Sequence, residues 1–207
     1  MTTFSSETRR VIVEIGREVH RKVMVVATGG NISARVGSRI LITPTGASLG
    51  RLSIDELVEM ELSGTVYGTG APSKEWPMHS AVYRALPWAE SVVHLHSFYA
   101  TCAGMVDDAE VGSEVMPSYT SNLRVKVGAV PLVAFRPPGT AELAEAVAEA
   151  MVAHEARAVI LQNHGILVAG RDPWDAFYAA EIVEENARFH LILGERGRPL
   201  YRTGERP

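Results

Sequence analysis

Two short apolar runs, Ala158-Val-Ile-Leu161 and Ile166-Leu-Val-Ala169, are separated only by Gln162-Asn-His-Gly165. Four residues suffice to reverse a chain between antiparallel strands and are far too few for the crossover that parallel strands require. The pair therefore predicts a hairpin, with Gly165 expected to supply a positive φ at its tip, and makes at least part of the sheet antiparallel. Elsewhere, helical and extended segments alternate, which is the pattern of an α/β fold.

The other elements follow from periodicity and punctuation. Apolar residues at Val11, Ile15, Val19 and Val23 predict a helix over about 6–26, stopped by Gly29-Gly30. Strands are predicted at 39–43, 57–62, 92–95 and 129–135, each bounded by glycine, proline or a small polar turn. Helices are predicted over 78–86, ending before Pro87, and over 142–153 with Thr140 as its cap. A long last helix spans about 172–193, with Pro173 in its first turn and Gly194 beyond its end.

A chain of 207 residues can bury one good core, and no linker divides it, so 1–207 reads as a single domain. The net charge is −4 and no block of Lys or Arg tracks one face, which argues against nucleic acid and anionic membranes as partners. No apolar stretch reaches the roughly 20 residues that span a bilayer. Met1 to Arg10 has neither the basic start nor the apolar run of a secretory signal, so the cytoplasm is the expected location. Cys102 has no partner for an internal disulfide and, in an apolar neighbourhood, is expected to be a buried structural thiol.

The chemistry is expected where a strand ends in His94-Leu-His96. Residues two apart on a strand share a face, so both imidazoles can reach one ion. Such a pair alone is more often solvated or hydrogen-bonded than ligating. His164, at an exposed hairpin tip where packing gives no reason for an imidazole, raises the odds of a metal centre. Three histidines on β scaffolding leave a coordination position open, as in catalytic zinc sites. Glu75 is the candidate fourth partner, as a ligand and proton carrier; its simpler role is a carboxylate at a helix N-terminus. His79, one turn later, is expected to be a core or capping histidine rather than a ligand. Three loops, Gly29-Gly-Asn-Ile-Ser33, Thr43-Pro-Thr-Gly46 and Ser73-Lys74, offer backbone N–H groups, and Lys74 a charge, to an anion. Beside a metal they suggest a phosphorylated substrate.

Five motifs in order, Gly29-Gly-Asn-Ile-Ser33, Ile42-Thr-Pro-Thr-Gly46, Pro72-Ser-Lys-Glu75, Val93-His-Leu-His-Ser97 and Asn163-His-Gly165, resemble the class II aldolase and adducin-head family nearly from end to end. The resemblance implies a three-layer αβα domain with a largely antiparallel central sheet, in a homotetramer with active sites between subunits. It implies zinc, or another divalent cation such as manganese, on His94, His96 and His164, with Glu75 as a ligand and as acid/base. It implies phosphate binding by Gly30, Asn31, Thr45, Gly46, Ser73 and Lys74, and a proton-donating tyrosine near Tyr119, for which core packing is an equal alternative. The implied activity is a fuculose-phosphate type aldolase in carbohydrate metabolism, giving dihydroxyacetone phosphate and an aldehyde. Lys74, His94-Leu-His-Ser97 and Arg136-Pro-Pro-Gly139 are more similar to the branch that decarboxylates 3-oxo-tetronate 4-phosphates. A 4-epimerase and a non-catalytic adducin-like module are the further alternatives; intact histidines and Glu75 count against the latter.

Overall fold

The computed structural model describes residues 4–105 and 111–201. In chain order the main elements are α1 (Ser6–Arg21), β1 (Asn31–Val36), β2 (Arg39–Ile42), β3 (Val58–Glu61), β4 (Val66–Tyr67), α2 (Trp76–Ala85), β5 (Ser91–Leu95), α3 (Phe98–Ala103), β6 (Leu132–Val133), α4 (Ala141–Ala153), β7 (Ala158–Leu161), β8 (Gly165–Gly170) and α5 (Pro173–Leu193). A π-helical turn, Leu123–Val127, precedes β6.

The strands form one sheet in the order β4-β3-β2-β1-β5-β8-β7-β6. All neighbours pair antiparallel except β6 and β7, which are parallel. Strand alternation sends successive side chains into two separate cores. Leu41, Val93, Ile160 and Val168 meet Ile12 of α1, Ala100 of α3 and Phe177 of α5 on one face. Ile40, Val92, Val159 and Leu167 meet Met78 and Val82 of α2 and Val147 of α4 on the other. The architecture is thus the expected αβα sandwich. Among the described residues, no helix is long and apolar enough to cross a membrane.

Thr140 caps α4 as expected, and Asp172 caps α5, a role not expected of it. The Thr140 hydroxyl accepts from Leu143 N at 3.2 Å and the Asp172 carboxylate from Asp175 N at 2.9 Å. A cap of this kind stabilises by about 1 kcal/mol.

Several expectations are corrected. The first helix stops at Arg21, not near 26, in a Schellman motif: Met24 N donates to Val19 O at 2.9 Å and Val23 N to His20 O at 3.1 Å, with Val23 at φ 57°. The strand expected over 129–135 is only Leu132–Val133, because Pro131 has no N–H to donate to a ladder. In the hairpin between β7 and β8 the positive φ belongs to Asn163, at 56°, and not to Gly165. Cys102, on α3, is half-buried. The chain turns at Ala27-Thr28, closed by Gly29 N donating to Val26 O at 3.0 Å, and Gly29-Gly30 lead into strand β1, which holds Asn31 and Ser33.

Candidate metal centre

β5 lies in the middle of the sheet, between β1 and β8. His94 stands opposite Asn31 on one side and Leu167 on the other, on the face covered by α2. His96 follows the strand on that face. His164 enters from the β7–β8 hairpin, whose pairing with β5 ends at Leu95↔Ile166. Glu75 is the residue that caps the N-terminus of α2 in sequence, yet its side chain accepts no helix N–H; it turns toward the histidines.

The four side chains converge. One potential ligand atom from each of Glu75, His94, His96 and His164 lies within 4.8 Å of the others. His94 Nε2 is 3.1 Å from His96 Nε2 and 3.2 Å from Glu75 Oε2, and His164 Nε2 is 3.1 Å from Glu75 Oε1. Donors on a tetrahedral ion with bonds of about 2.0–2.1 Å lie roughly 3.3 Å apart, close to these separations. His94 Nδ1 lies 2.8 Å from the Ile166 carbonyl, which only accepts, so this nitrogen carries the hydrogen and Nε2 presents its lone pair inward. Buried Glu75 Oε1 accepts from no amide or hydroxyl. Lone pairs and a carboxylate directed at one point repel unless a cation or protons stand between them, so the donor set fits a divalent metal.

The electrostatics agree. Burial works against charge on the Glu75 carboxyl, but the imidazoles of His94 and His164 outweigh it and hold the group well below the usual carboxylate range. Burial first, with the neighbouring imidazoles acting in the same direction, pushes His96 down to about 4, toward the neutral form that ligates. The His164 side chain is only 7% exposed, contrary to the exposed position expected, although Asn163 beside it at the hairpin tip is exposed.

Three glycines permit this crowding. A Cβ on Gly29 would stand 2.8 Å from His96 Nδ1, one on Gly30 2.8 Å from the His94 carbonyl oxygen, and one on Gly165 2.3 Å from the Leu95 carbonyl oxygen. Backbone presses on both edges of the histidine strand, and sequence reasoning missed this use of Gly29 and Gly165.

The expected phosphate loops come together beside Glu75. Thr45 N donates to Ala71 O at 3.1 Å and Ser73 N to Thr43 O at 3.0 Å, tying 43–46 to 71–75. Gly46 adopts φ 71° with open space where a side chain would be. Lys74 is exposed, and Gly139 packs on its carbonyl, so the 136–139 loop adjoins it. Asn31 is placed differently from the expectation. Its amide is buried, donates to Glu75 Oε2 at 2.8 Å and meets His79 Nε2 at 2.5 Å. His79 is a core residue as expected, fully buried, with Ser33 Oγ 2.7 Å from its Nδ1 and Tyr83 OH 2.7 Å from that Oγ. Burial pushes His79 down to about 3.

Tyr119 is not joined to the imidazoles by any hydrogen bond or ring contact among the described residues. Its hydroxyl is 3.4 Å from His190 Nδ1, and its backbone is held by buried Asn186, which accepts from Tyr119 N and donates to Pro117 O, each at 2.9 Å. Tyr201 bridges to neighbouring Ser118.

Known proteins resemble this arrangement throughout. The chain is 34% identical over 197 residues to the 3-oxo-tetronate 4-phosphate decarboxylase of Haemophilus influenzae, covering 94% of this chain and 92% of that protein. It is 34% identical over 181 residues to the L-fuculose phosphate aldolase of Methanococcus maripaludis, covering 87% and 94%. The crystal structure of YgbL from Klebsiella pneumoniae superposes with a TM-score of 0.89 at 31% identity, over 97% of this chain and 95% of that one. The sequence model of the Class II Aldolase and Adducin N-terminal domain matches residues 10–191, and the chain belongs to that family.

Proposed function

We propose that this protein is a metal-dependent lyase that breaks a carbon–carbon bond in a small phosphorylated sugar or sugar acid. The observation that carries this reading is the convergence of His94, His96, His164 and Glu75 on one point. Three imidazoles suit zinc, with manganese the alternative divalent ion. When bound there, the cation supplies Lewis acidity that stabilises negative charge developing on substrate oxygen.

The chain's own residues do the rest. Backbone N–H groups near Gly30, Thr45 and Gly46, with Ser73 and Lys74, bind the phosphate; Asn31 borders that pocket while its amide holds Glu75. Glu75 carries the proton, because its carboxylate is the group at the centre that gains and loses one. The homotetramer that the family resemblance implies, with active sites between subunits, is the assembly in which a neighbouring subunit would bring Tyr119 to the site as a proton donor. We place the enzyme in the cytoplasm.

Both named relatives catalyse reactions that break a carbon–carbon bond, and they differ in the fragment released. Decarboxylation of a 3-oxo-tetronate 4-phosphate is the favoured reading here. Gly139 packs on the Lys74 carbonyl, so the 136–139 loop adjoins the residue that follows Ser73, and exposed Lys74 next to Glu75 offers a cation to a substrate carrying both phosphate and carboxylate. Aldol cleavage to dihydroxyacetone phosphate and an aldehyde is the second reading, supported by the equal identity to the fuculose-phosphate enzyme. The test is to incubate zinc-loaded protein with 3-oxo acid phosphates and ketose phosphates. Carbon dioxide without aldehyde is expected; aldehyde release selects the second reading, and neither product from any member overturns both.

A further inference from the structure

Glu75, His79 and Tyr83 are spaced by four along the chain and form one stripe at the start of and along α2. Asn31 and Ser33 are spaced by two and form one stripe on β1. The two stripes interleave, giving one buried chain of hydrogen bonds in the order Tyr83, Ser33, His79, Asn31, Glu75.

The direction of each hydrogen in that chain follows from one end. A carboxylate only accepts, so the Asn31 NH2 group faces Glu75 Oε2 and its amide oxygen faces His79. That oxygen also only accepts, so His79 Nε2 carries the hydrogen. A neutral imidazole then has a bare Nδ1, to which Ser33 must donate, and Ser33 accepts from the Tyr83 hydroxyl. His79 is neutral, since it is fully buried and has no charged partner in contact.

We infer that His79 is a positioning residue: by holding the Asn31 amide in one orientation it tethers Glu75 Oε2 and fixes the direction in which Oε1 faces the imidazoles. Oε1 accepts from no amide or hydroxyl and lies 3.1 Å from His164 Nε2, on the side of the imidazoles. Without a donor at His79 Nε2, the Asn31 amide is free to turn its oxygen toward the carboxylate, and Glu75 loses both its tether and its fixed direction. This inference rests on the lyase reading for its catalytic consequence, but not for the hydrogen-bond order itself.

Two variants test it. His79→Gln keeps an N–H where the imidazole Nε2 lies; His79→Leu removes it. In zinc-loaded protein, His79→Leu should lower kcat by about 10- to 100-fold at unchanged bound zinc and with little change in KM, and His79→Gln should recover most of the loss. Wild-type kcat in the leucine variant, or a glutamine variant that is folded yet no better than leucine, overturns the proposal. A second measurement needs only the wild-type chain: 15N NMR of the imidazoles should show His79 as the neutral Nε2–H form, with a protected Asn31 side-chain amide. The Nδ1–H form would overturn the proposal even if neither variant folds. Absence of lyase activity in wild type would instead sink the lyase reading, with the NMR result still deciding the hydrogen-bond order.

Discussion

Each imidazole of the centre is useful through one nitrogen, and the fold decides which. For His94 the Ile166 carbonyl fixes the hydrogen on Nδ1, so the inward nitrogen offers a lone pair to a cation. Replacing His94 or His164 with alanine removes one of three nitrogen ligands from an otherwise complete core. Bound zinc, measured by metal analysis, should fall well below one per chain and activity should vanish, while the circular dichroism and the cooperative unfolding of the domain persist. Full activity in metal-free wild type would contradict this. Glu75→Gln is isosteric and still accepts from Asn31 Nδ2, but carries no ionisable proton. It should retain zinc and lose about 10²- to 10⁴-fold in kcat; unchanged turnover would remove Glu75 from the proton-carrying role. Residue by residue, the meeting of His94 and His96 was legible because two-residue spacing along an extended segment puts both on one face. The amide of Asn31 was not, since nothing local says that a residue 44 positions away in the sequence will accept its hydrogen bond.

At the scale of elements, close approach of backbones matters more than side-chain identity. β8 runs beside β5 with Gly165 against the Leu95 carbonyl. Gly165→Ala introduces a Cβ that neither backbone can avoid, so the hairpin carrying His164 must move away from β5. Overpacking of this kind costs about 1–3 kcal/mol, which chemical denaturation should detect, and zinc affinity should fall with it. A variant as stable as wild type with unaltered zinc binding would show that the strand pair has slack. The glycine is easily misread in sequence as a turn residue, because a glycine needed for φ and one needed for space look alike; here Asn163 takes the positive φ. β1 shows the converse difficulty. Its alternation of Ile32, Ala34 and Val36 with Asn31, Ser33 and Arg35 is a strand signal, yet its polar face is buried under α2 instead of solvated. α3 lacks a local signal altogether: the hydroxyl of Ser97 caps nothing, and the N–H groups of Tyr99 and Ala100 are satisfied at 2.9 and 2.8 Å by Glu184 of α5.

For the whole molecule, a metal held by the cluster would link distant segments of chain. The cluster joins the start of α2, the end of β5 and the β7–β8 hairpin, and an ion that binds only the folded arrangement stabilises it by mass action. At free zinc about 100-fold above its dissociation constant the gain is about 2.7 kcal/mol, or roughly 5–10 °C in Tm for a chain of this length. Chelation should lower Tm by that order and zinc should restore it in a calorimetric scan; an unchanged Tm would mean that no stabilising ion is bound. What the sequence determined alone was local: the hairpin that makes the sheet antiparallel, the helix cap at Thr140, the shared face of His94 and His96, and an ordered set of motifs. Periodicity, capping and loop length are short-range properties and can be read from neighbours. Only the tertiary structure decided that Asn31 serves the Glu75 carboxylate, that His79 sits in a directed hydrogen-bond chain, and that Gly29 and Gly165 exist to let backbone touch the histidine strand. Those facts depend on which strands lie beside β5 and which helix covers it, and that pairing is set by burial of two cores on opposite faces of one sheet.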